Sequence, residues 1–178
     1  DTLNLDTLPD NYLPRTNYLP ACEAIEYTRR VPRVSWVEEG EREARVVTGY
    51  YRHVNREMIS PSAERSLISA LLPKGVGHVH TCISMVFRTY ESLIDFHALT
   101  LSTALDIFMK STGAGHANYA YLSRMPIYIP STSYRSRLHV RVLVLASLTT
   151  HYSDLWRDCW QPVFQQDRWV SNAPRLPR

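Results

Sequence analysis

The stretch from Ser60 to Val76 constrains the fold of this 178-residue chain more than any other. It opens with a polar turn that contains Arg65, continues as an apolar run from Leu67 to Leu72, and ends at the corner Pro73-Lys74-Gly75. A short apolar run bounded by turn residues is typical of a buried β-strand. The pattern therefore predicts an interior strand between two basic turns.

Two further segments have the composition of strands. Residues 45–59 are rich in β-branched and aromatic side chains with partial alternation, and Thr81 to Arg88 is a similar run. Such residues favour a pleated, half-buried surface. Together with Leu67–Leu72 these segments predict a sheet whose strands are joined by short loops.

Two longer segments have helical periodicity. Apolar residues recur at three- and four-residue steps from Ser92 to Lys110, where Ser92 and Asp95 suggest a capping box and Gly113 a helix end. The same spacing recurs from Tyr134 to Trp160. We therefore predict an α+β fold in which a twisted, mostly antiparallel sheet is flanked by two longer helices.

Prolines and charge divide the chain into three parts. Residues 1–44 form a Pro-rich arm or linker, residues 45–160 the α+β domain, and residues 161–178 a tail rich in Pro and Trp. Residues 1–50 hold six Arg and nine acids, whereas residues 51–178 hold fourteen basic residues and eight acids. The first residues are acidic and do not begin with Met, so we expect a fragment without a signal peptide.

Two observations bear on membrane association and on the cellular compartment of the protein. No run of 18 apolar residues occurs, so we expect no membrane partner. Cys22, Cys82 and Cys159 are far apart and odd in number, which favours free thiols in a reducing compartment. Both observations favour a cytoplasmic protein.

Motifs of known catalytic chemistry are missing from the sequence. It has no GxGxxG, phosphate-binding P-loop, HExxH or GxSxG motif, and no Asn-Pro-Pro-aromatic motif of the kind that holds a target amine. His78-Val79-His80 would place two rings on one side of a strand, but too few further ligands are near for zinc. We expect neither catalysis by this chain alone nor a metal site.

Basic and aromatic residues alternate around the predicted sheet. Eighteen of the twenty basic residues are Arg, and Tyr50, Tyr51, Tyr119 and Tyr121 lie among them. Arginine suits phosphates and guanine edges, so a sheet rim of this kind can contact a DNA groove. Ordinary surface charge and a codon preference for Arg explain the same pattern. The basic residues in question are Arg52, Arg56, Arg65, Lys74, Arg88 and Arg124.

Four segments in the same order resemble the C-terminal target-recognition region of N6-adenine DNA methyltransferases from restriction-modification and phage-defence systems. The family pattern of an Arg followed by Asn-Glu-Arg-Thr-Leu-Ile-x-Ala-Leu-Leu-Pro-Pro corresponds to Tyr51–Arg56 followed by residues 63–74, with Ala63 and Lys74 as departures. The other segments are Arg15–Pro20 with Glu26-Tyr27, the helix from Ala98 with Asn118–Pro126, and Leu145–Trp156. The resemblance spans about residues 12–160.

The resemblance implies a division of labour between two parts of a longer protein. An upstream methyltransferase domain would bind S-adenosylmethionine and flip the target adenine, whereas this fragment would hold no cofactor and would contact double-stranded DNA. The residues expected to contact DNA are Arg56, Arg65, Lys74, His78, His80, Asn118 and Arg124.

Two other functions compete with DNA recognition. The Pro-rich arm and the Trp-rich tail would suit a structural or protein-docking domain of a phage-defence complex. A stand-alone enzyme is disfavoured by the missing motifs. Salt-dependent DNA binding would separate the first function from the second.

Overall fold

The computed structural model describes residue 4 and residues 7–14, 18–60, 62–128 and 131–168. These residues contain a three-stranded sheet and six helices, which confirms the predicted α+β class. The elements are α1 (Ala24–Arg30), β1 (Arg52–Arg56), β2 (Ser69–Leu72), β3 (Cys82–Val86), α2 (Tyr90–Leu101), α3 (Thr103–Ser111), α4 (Tyr119–Leu122), α5 (Thr132–Ala146) and α6 (Ser153–Cys159). Short 3₁₀ turns lie at Val47–Gly49, Thr150–Tyr152 and Pro162–Gln166.

The sheet has the order β2-β1-β3, and both outer strands run antiparallel to β1. Arg52, the first residue of β1, is paired with Leu72, the last residue of β2, and with Val86, the last residue of β3. Both outer strands therefore end beside the start of β1. Because β2 and β3 are parallel to each other, the connection over residues 73–81 must return along the length of the sheet. This returning segment is called the crossing loop below.

The two faces of the sheet have different neighbours. His53 and Leu71 point to the helices, since the His53 ring lies 4.9 Å from that of Phe96 and Leu71 belongs to the main core. Alternation along a strand then places Arg52 and Val54 on the opposite face. That face carries the crossing loop, because the Arg52 guanidinium donates to the carbonyl of Val76.

Helices α2 and α5 pack against each other over the first face of the sheet, and both supply residues to the main core. The contact contains a buried ion-pair cluster. Arg135 of α5 donates to Asp95 of α2 at 2.5 to 3.1 Å, and His139 Nε2 lies 2.7 Å from Asp95 Oδ1. Burial would raise the pKa of Asp95, but these hydrogen bonds hold it below its usual value.

The first predicted long helix is two helices in the structure. Helix α2 begins at Tyr90 behind the N-cap Thr89, whose side chain accepts from the Ser92 amide, so the predicted capping box at Ser92 and Asp95 is wrong. The chain then bends by 67° at Ser102, which has an extended backbone and caps α3 through the Leu105 amide. Gly113 follows α3 with a φ of 65°, as the predicted helix end requires.

The second predicted long helix is also interrupted. Helix α5 ends at Ala146, and the backbone of Ser147 leaves the helical region. The Trp156 indole of α6 donates to the Ser147 carbonyl at 3.1 Å, which satisfies a carbonyl that the break has freed. Tyr134 to Trp160 is therefore α5, a 3₁₀ turn and α6 rather than one helix.

The predicted arm and tail both contact the domain. Residues 9–12 of the arm are held by the Thr150 amide, which donates to the Asp10 carbonyl at 2.7 Å, and Arg33 forms a bridge with Val46. In the tail, Phe164 is buried in the main core. The division at residues 44 and 160 stays a prediction. Arg15–Asn17 and residues 169–178 lie outside the described part of the chain.

Among the described residues, no single helix is long and apolar enough to cross a membrane. One pair, α2 with α3, has the required length and composition only when the two helices are taken together across their 67° bend.

Candidate functional site

Three segments that are distant in sequence meet at the end of β1. Beyond Arg56, the Glu57 amide donates to the Thr81 carbonyl at 2.9 Å, and the Glu57 carbonyl accepts from the Ala117 amide. Met58 forms a bridge with His116. We call the surface formed by Arg56, His80, His116, Asn118 and Tyr119 the rim.

The rim exposes cationic, aromatic and amide groups. Arg56, His80 and His116 are exposed, and Tyr119 keeps 74% of its surface accessible. The Arg56 Nε donates to the Met58 carbonyl at 2.9 Å, which orients the guanidinium without neutralising it. Asn118 caps α4 through its side-chain oxygen, which accepts from the Ala120 amide at 3.1 Å, so its amide nitrogen is left to donate.

One carboxylate lies beside the rim. Glu57 Oε1 is 3.6 Å from His116 Nδ1, and the Glu57 side chain is about 31% exposed. Among the described residues, no carboxylate lies within ion-pair distance of the Arg56 guanidinium. The rim therefore retains an unpaired positive charge next to a half-buried acid.

Three of the seven predicted contact residues, Arg56, His80 and Asn118, lie on the segments that meet at the rim, each next to a residue of the Glu57–Thr81 and Glu57–Ala117 backbone hydrogen bonds. Arg124 is exposed just beyond α4. Lys74 lies at the opposite end of the sheet, after β2, where its Nζ is 4.9 Å from the centre of the Tyr51 ring and 3.9 Å from Asp154. His78 lies in the crossing loop and its Nε2 is 2.8 Å from the Ser84 hydroxyl.

Arg65 connects the polar turn before β2 to the bend between α2 and α3. Its guanidinium donates to the carbonyls of Thr100 and Leu101, both at 3.2 Å, and its Nε is 3.6 Å from Asp106. These carbonyls are the ones that the end of α2 leaves without a helical partner. The geometry gives Arg65 a structural task, and a DNA contact by Arg65 stays a prediction.

Asp106 is the anchor of the same turn. Its Oδ1 accepts from the amides of Ser66 and Leu67, both at 2.8 Å, and its Oδ2 lies 3.5 Å from Lys110 Nζ. Burial would raise its pKa, whereas the two amide hydrogen bonds and the nearby cations lower it below the usual value. The turn before β2 is therefore fixed to α3 by a buried carboxylate.

The sequence pattern gives the wrong location for one basic residue, Arg52. The pattern of basic residues around the sheet suggests a surface charge, but Arg52 is in β1 and only 2% exposed. It donates to the Val76 carbonyl and weakly to Ser84 Oγ at 3.4 Å, and its Nε has no acceptor. The signal that could have indicated its burial is its position two residues before the apolar Val54, on the same face of the strand.

Within the described residues, no group of three or more His, Cys, Asp or Glu side chains is placed to hold a metal ion. The three cysteines are free, and Cys159 is buried in the main core, where burial raises the pKa of its thiol to about 11. A thiol in that state is a poor nucleophile at neutral pH.

Comparison of the chain with protein-family models, with curated proteins and with solved structures finds no match.

Proposed function

We propose that the chain is the DNA-binding target-recognition region of a class I S-adenosylmethionine-dependent N6-adenine DNA methyltransferase, non-catalytic by itself. The observation that carries the proposal is the meeting of Arg56, His80 and Asn118 at the rim. The resemblance over residues 12–160 points to these three residues from the sequence alone. Their meeting from three separate segments supports a shared surface.

The chemistry of the rim suits a nucleic acid. An exposed guanidinium binds a phosphate or a guanine edge, and the amide nitrogen of Asn118 can donate to a phosphate or to a base-edge acceptor. An exposed Tyr offers a ring on which an extruded base can stack. The domain also has an excess of basic residues over acids, which favours association with a polyanion.

The proposed division of labour assigns chemistry to the upstream domain. That domain would bind S-adenosylmethionine and methylate an adenine flipped from the duplex. The rim would hold the phosphates and read base edges beside the flipped base, in the cytoplasm. No residue of this chain is assigned to the cofactor.

The first test compares variants for binding to duplex DNA by fluorescence anisotropy at low salt. Arg56→Gln removes the unpaired charge of the rim, and we expect it to weaken binding by about ten- to one-hundredfold, as for the loss of one strong contact. Arg42→Gln is the matched control, because Arg42 is also exposed and carries the same charge in the arm. Equal effects of the two variants would contradict a specific role for the rim.

A second candidate function rests on exposed apolar residues in the arm. Tyr18, Leu19 and Ile25 expose 71%, 86% and 87% of their surfaces. Such a group favours a protein-docking role within a phage-defence complex. Docking would be supported over DNA recognition by two results together. The unaltered chain would not bind DNA at low salt, and Leu19→Asp and Ile25→Asp would abolish the binding of a protein partner.

A further inference from the structure

The face of the sheet opposite the helices holds a cleft of about 450 Å³. It lies between α1, the crossing loop and the strands β1 and β3, and its polar lining comprises Tyr27, Thr48, Arg52, His78 and Ser84. Its remaining wall is mostly aliphatic, with Val31, Pro32, Val47 and Val86. The volume falls within the range of small-molecule sites, which combine apolar walls with a few polar groups.

The cleft holds a buried positive charge that the protein does not neutralise. None of the twelve residues that line it is Asp or Glu, and the Arg52 guanidinium has only a carbonyl and a hydroxyl as acceptors. Its Nε is buried without an acceptor. Burial lowers the pKa of Arg52, which reflects the cost of keeping the charged form in this environment. Buried charges are normally paired, so a counter-charge is missing.

Two further polar groups of the cleft are able to donate to an anion, namely the hydroxyls of Tyr27 and Thr48. The His78 ring is already bonded, because its Nδ1 lies 2.9 Å from the Val79 carbonyl and its Nε2 lies 2.8 Å from the Ser84 hydroxyl. The crossing loop also approaches α1 closely, because a Cβ at Gly77 would overlap the Tyr27 hydroxyl. A larger residue at Gly77 would displace the Tyr27 side chain, so glycine allows the crossing loop and α1 to approach at this edge of the cleft.

We propose that this cleft binds a small organic ligand with an oxyanion head, phosphate or carboxylate, whose charge pairs with Arg52. The aliphatic wall contacts the body of the ligand, and the hydroxyls of Tyr27 and Thr48 complete the hydrogen bonds of the head. The proposal is independent of DNA binding at the rim, because Arg52 begins β1 whereas the rim residue Arg56 ends it.

The test measures ligand-dependent stability and binding of the whole chain. Thermal unfolding and calorimetry are followed with inorganic phosphate, adenosine 5′-monophosphate, benzoate and uncharged adenosine, each at an ionic strength matched with sodium chloride. We expect saturable binding and a rise in Tm of several degrees with at least one anion, and none with adenosine. No saturable stabilisation by any of the anions would overturn the proposal.

Variants locate the site. We expect Arg52→Gln to abolish the anion effect, and Arg42→Gln, the control at an exposed position, to keep it. If Arg52→Gln does not fold, Thr48→Val and Tyr27→Phe remove hydroxyl donors from the lining of the cleft and should each weaken binding several-fold. Unchanged affinity in both of these variants would overturn the assignment to this cleft.

A competition experiment separates two sources of the oxyanion. Displacement of bound adenosine 5′-monophosphate by a short duplex would show that the cleft takes a phosphate of the DNA backbone. Simultaneous binding of both would show that it takes a free ligand. Either result keeps the oxyanion site, and the calorimetry without DNA tests it even if the rim does not bind DNA.

Discussion

At the scale of single residues, a few buried polar side chains hold segments together that the sequence keeps far apart. Asp106 binds the turn before β2 to α3, Asp95 joins α2 to α5, and Arg52 fixes the crossing loop to the sheet. A buried polar group that loses its partner is costly, so these positions are more sensitive than exposed ions.

Asp106→Ala should destabilise the protein by about 3 kcal/mol, because it leaves the buried amides of Ser66 and Leu67 without an acceptor. Denaturant unfolding followed by circular dichroism measures the change. Asp158→Ala is the control, since Asp158 is 42% exposed and should change stability by less than about 0.5 kcal/mol. Similar losses in the two variants would contradict the anchoring role of Asp106.

Acid should weaken the fold before most carboxylates titrate. His53 Nδ1 and His97 Nδ1 are 3.1 Å apart in the interior, and both Nε2 atoms lack partners. Burial lowers the pKa of His97 to about 4, and burial with the neighbouring His97 lowers that of His53 well below its usual value. The unfolded chain therefore takes up protons first as pH falls below about 6.5.

The contribution of the two neutral histidines to the free energy of unfolding is fully present above about pH 6.5 and is lost as the pH falls toward 4. For His97 alone the loss between pH 7 and pH 5 is about 2 kcal/mol. Unfolding free energies measured at the two pH values check this, and His97→Gln should show a weaker dependence. Equal stability of the unaltered chain at pH 7 and pH 5 would contradict the buried neutral pair.

At the scale of elements, the sequence predicts the strands and helix ends that local signals specify, and it misses the helix breaks that depend on tertiary contacts. The apolar run at residues 67–72 and the turn chemistry at Gly113 are local signals, and both elements form. The breaks at Ser102 and Ser147 lie within continuous helical periodicity. The break at Ser102 is favoured by Arg65, which lies more than thirty residues earlier in the chain. The break at Ser147 is favoured by Trp156, which is near in sequence but makes its contact only once the chain has turned.

Arg65→Gln should act on the bend between α2 and α3 rather than on DNA. It removes two hydrogen bonds to helix-end carbonyls, so we expect a loss of about 1 to 2 kcal/mol in unfolding free energy. DNA affinity of the folded variant should change less than in Arg56→Gln. A variant of unchanged stability with much weaker DNA binding would make Arg65 a contact residue instead.

At the scale of the whole molecule, the antiparallel sheet separates two surfaces. Helices cover one face, and the crossing loop with α1 covers the other, so the rim is exposed at one end of β1 and the Arg52 cleft lies to one side. The sequence predicts Arg56, His80 and Asn118 as contact residues. It could not place them together, because their meeting depends on strand register and on the crossing loop.

The most direct test of DNA recognition is selection of duplexes from a randomised pool by this chain, at low and at moderate salt, followed by sequencing. We expect affinity to fall steeply with salt and a short motif to be enriched, because the rim carries unpaired charge beside groups that can read base edges. Absence of binding even at low salt would contradict DNA recognition and would favour the docking role of the arm.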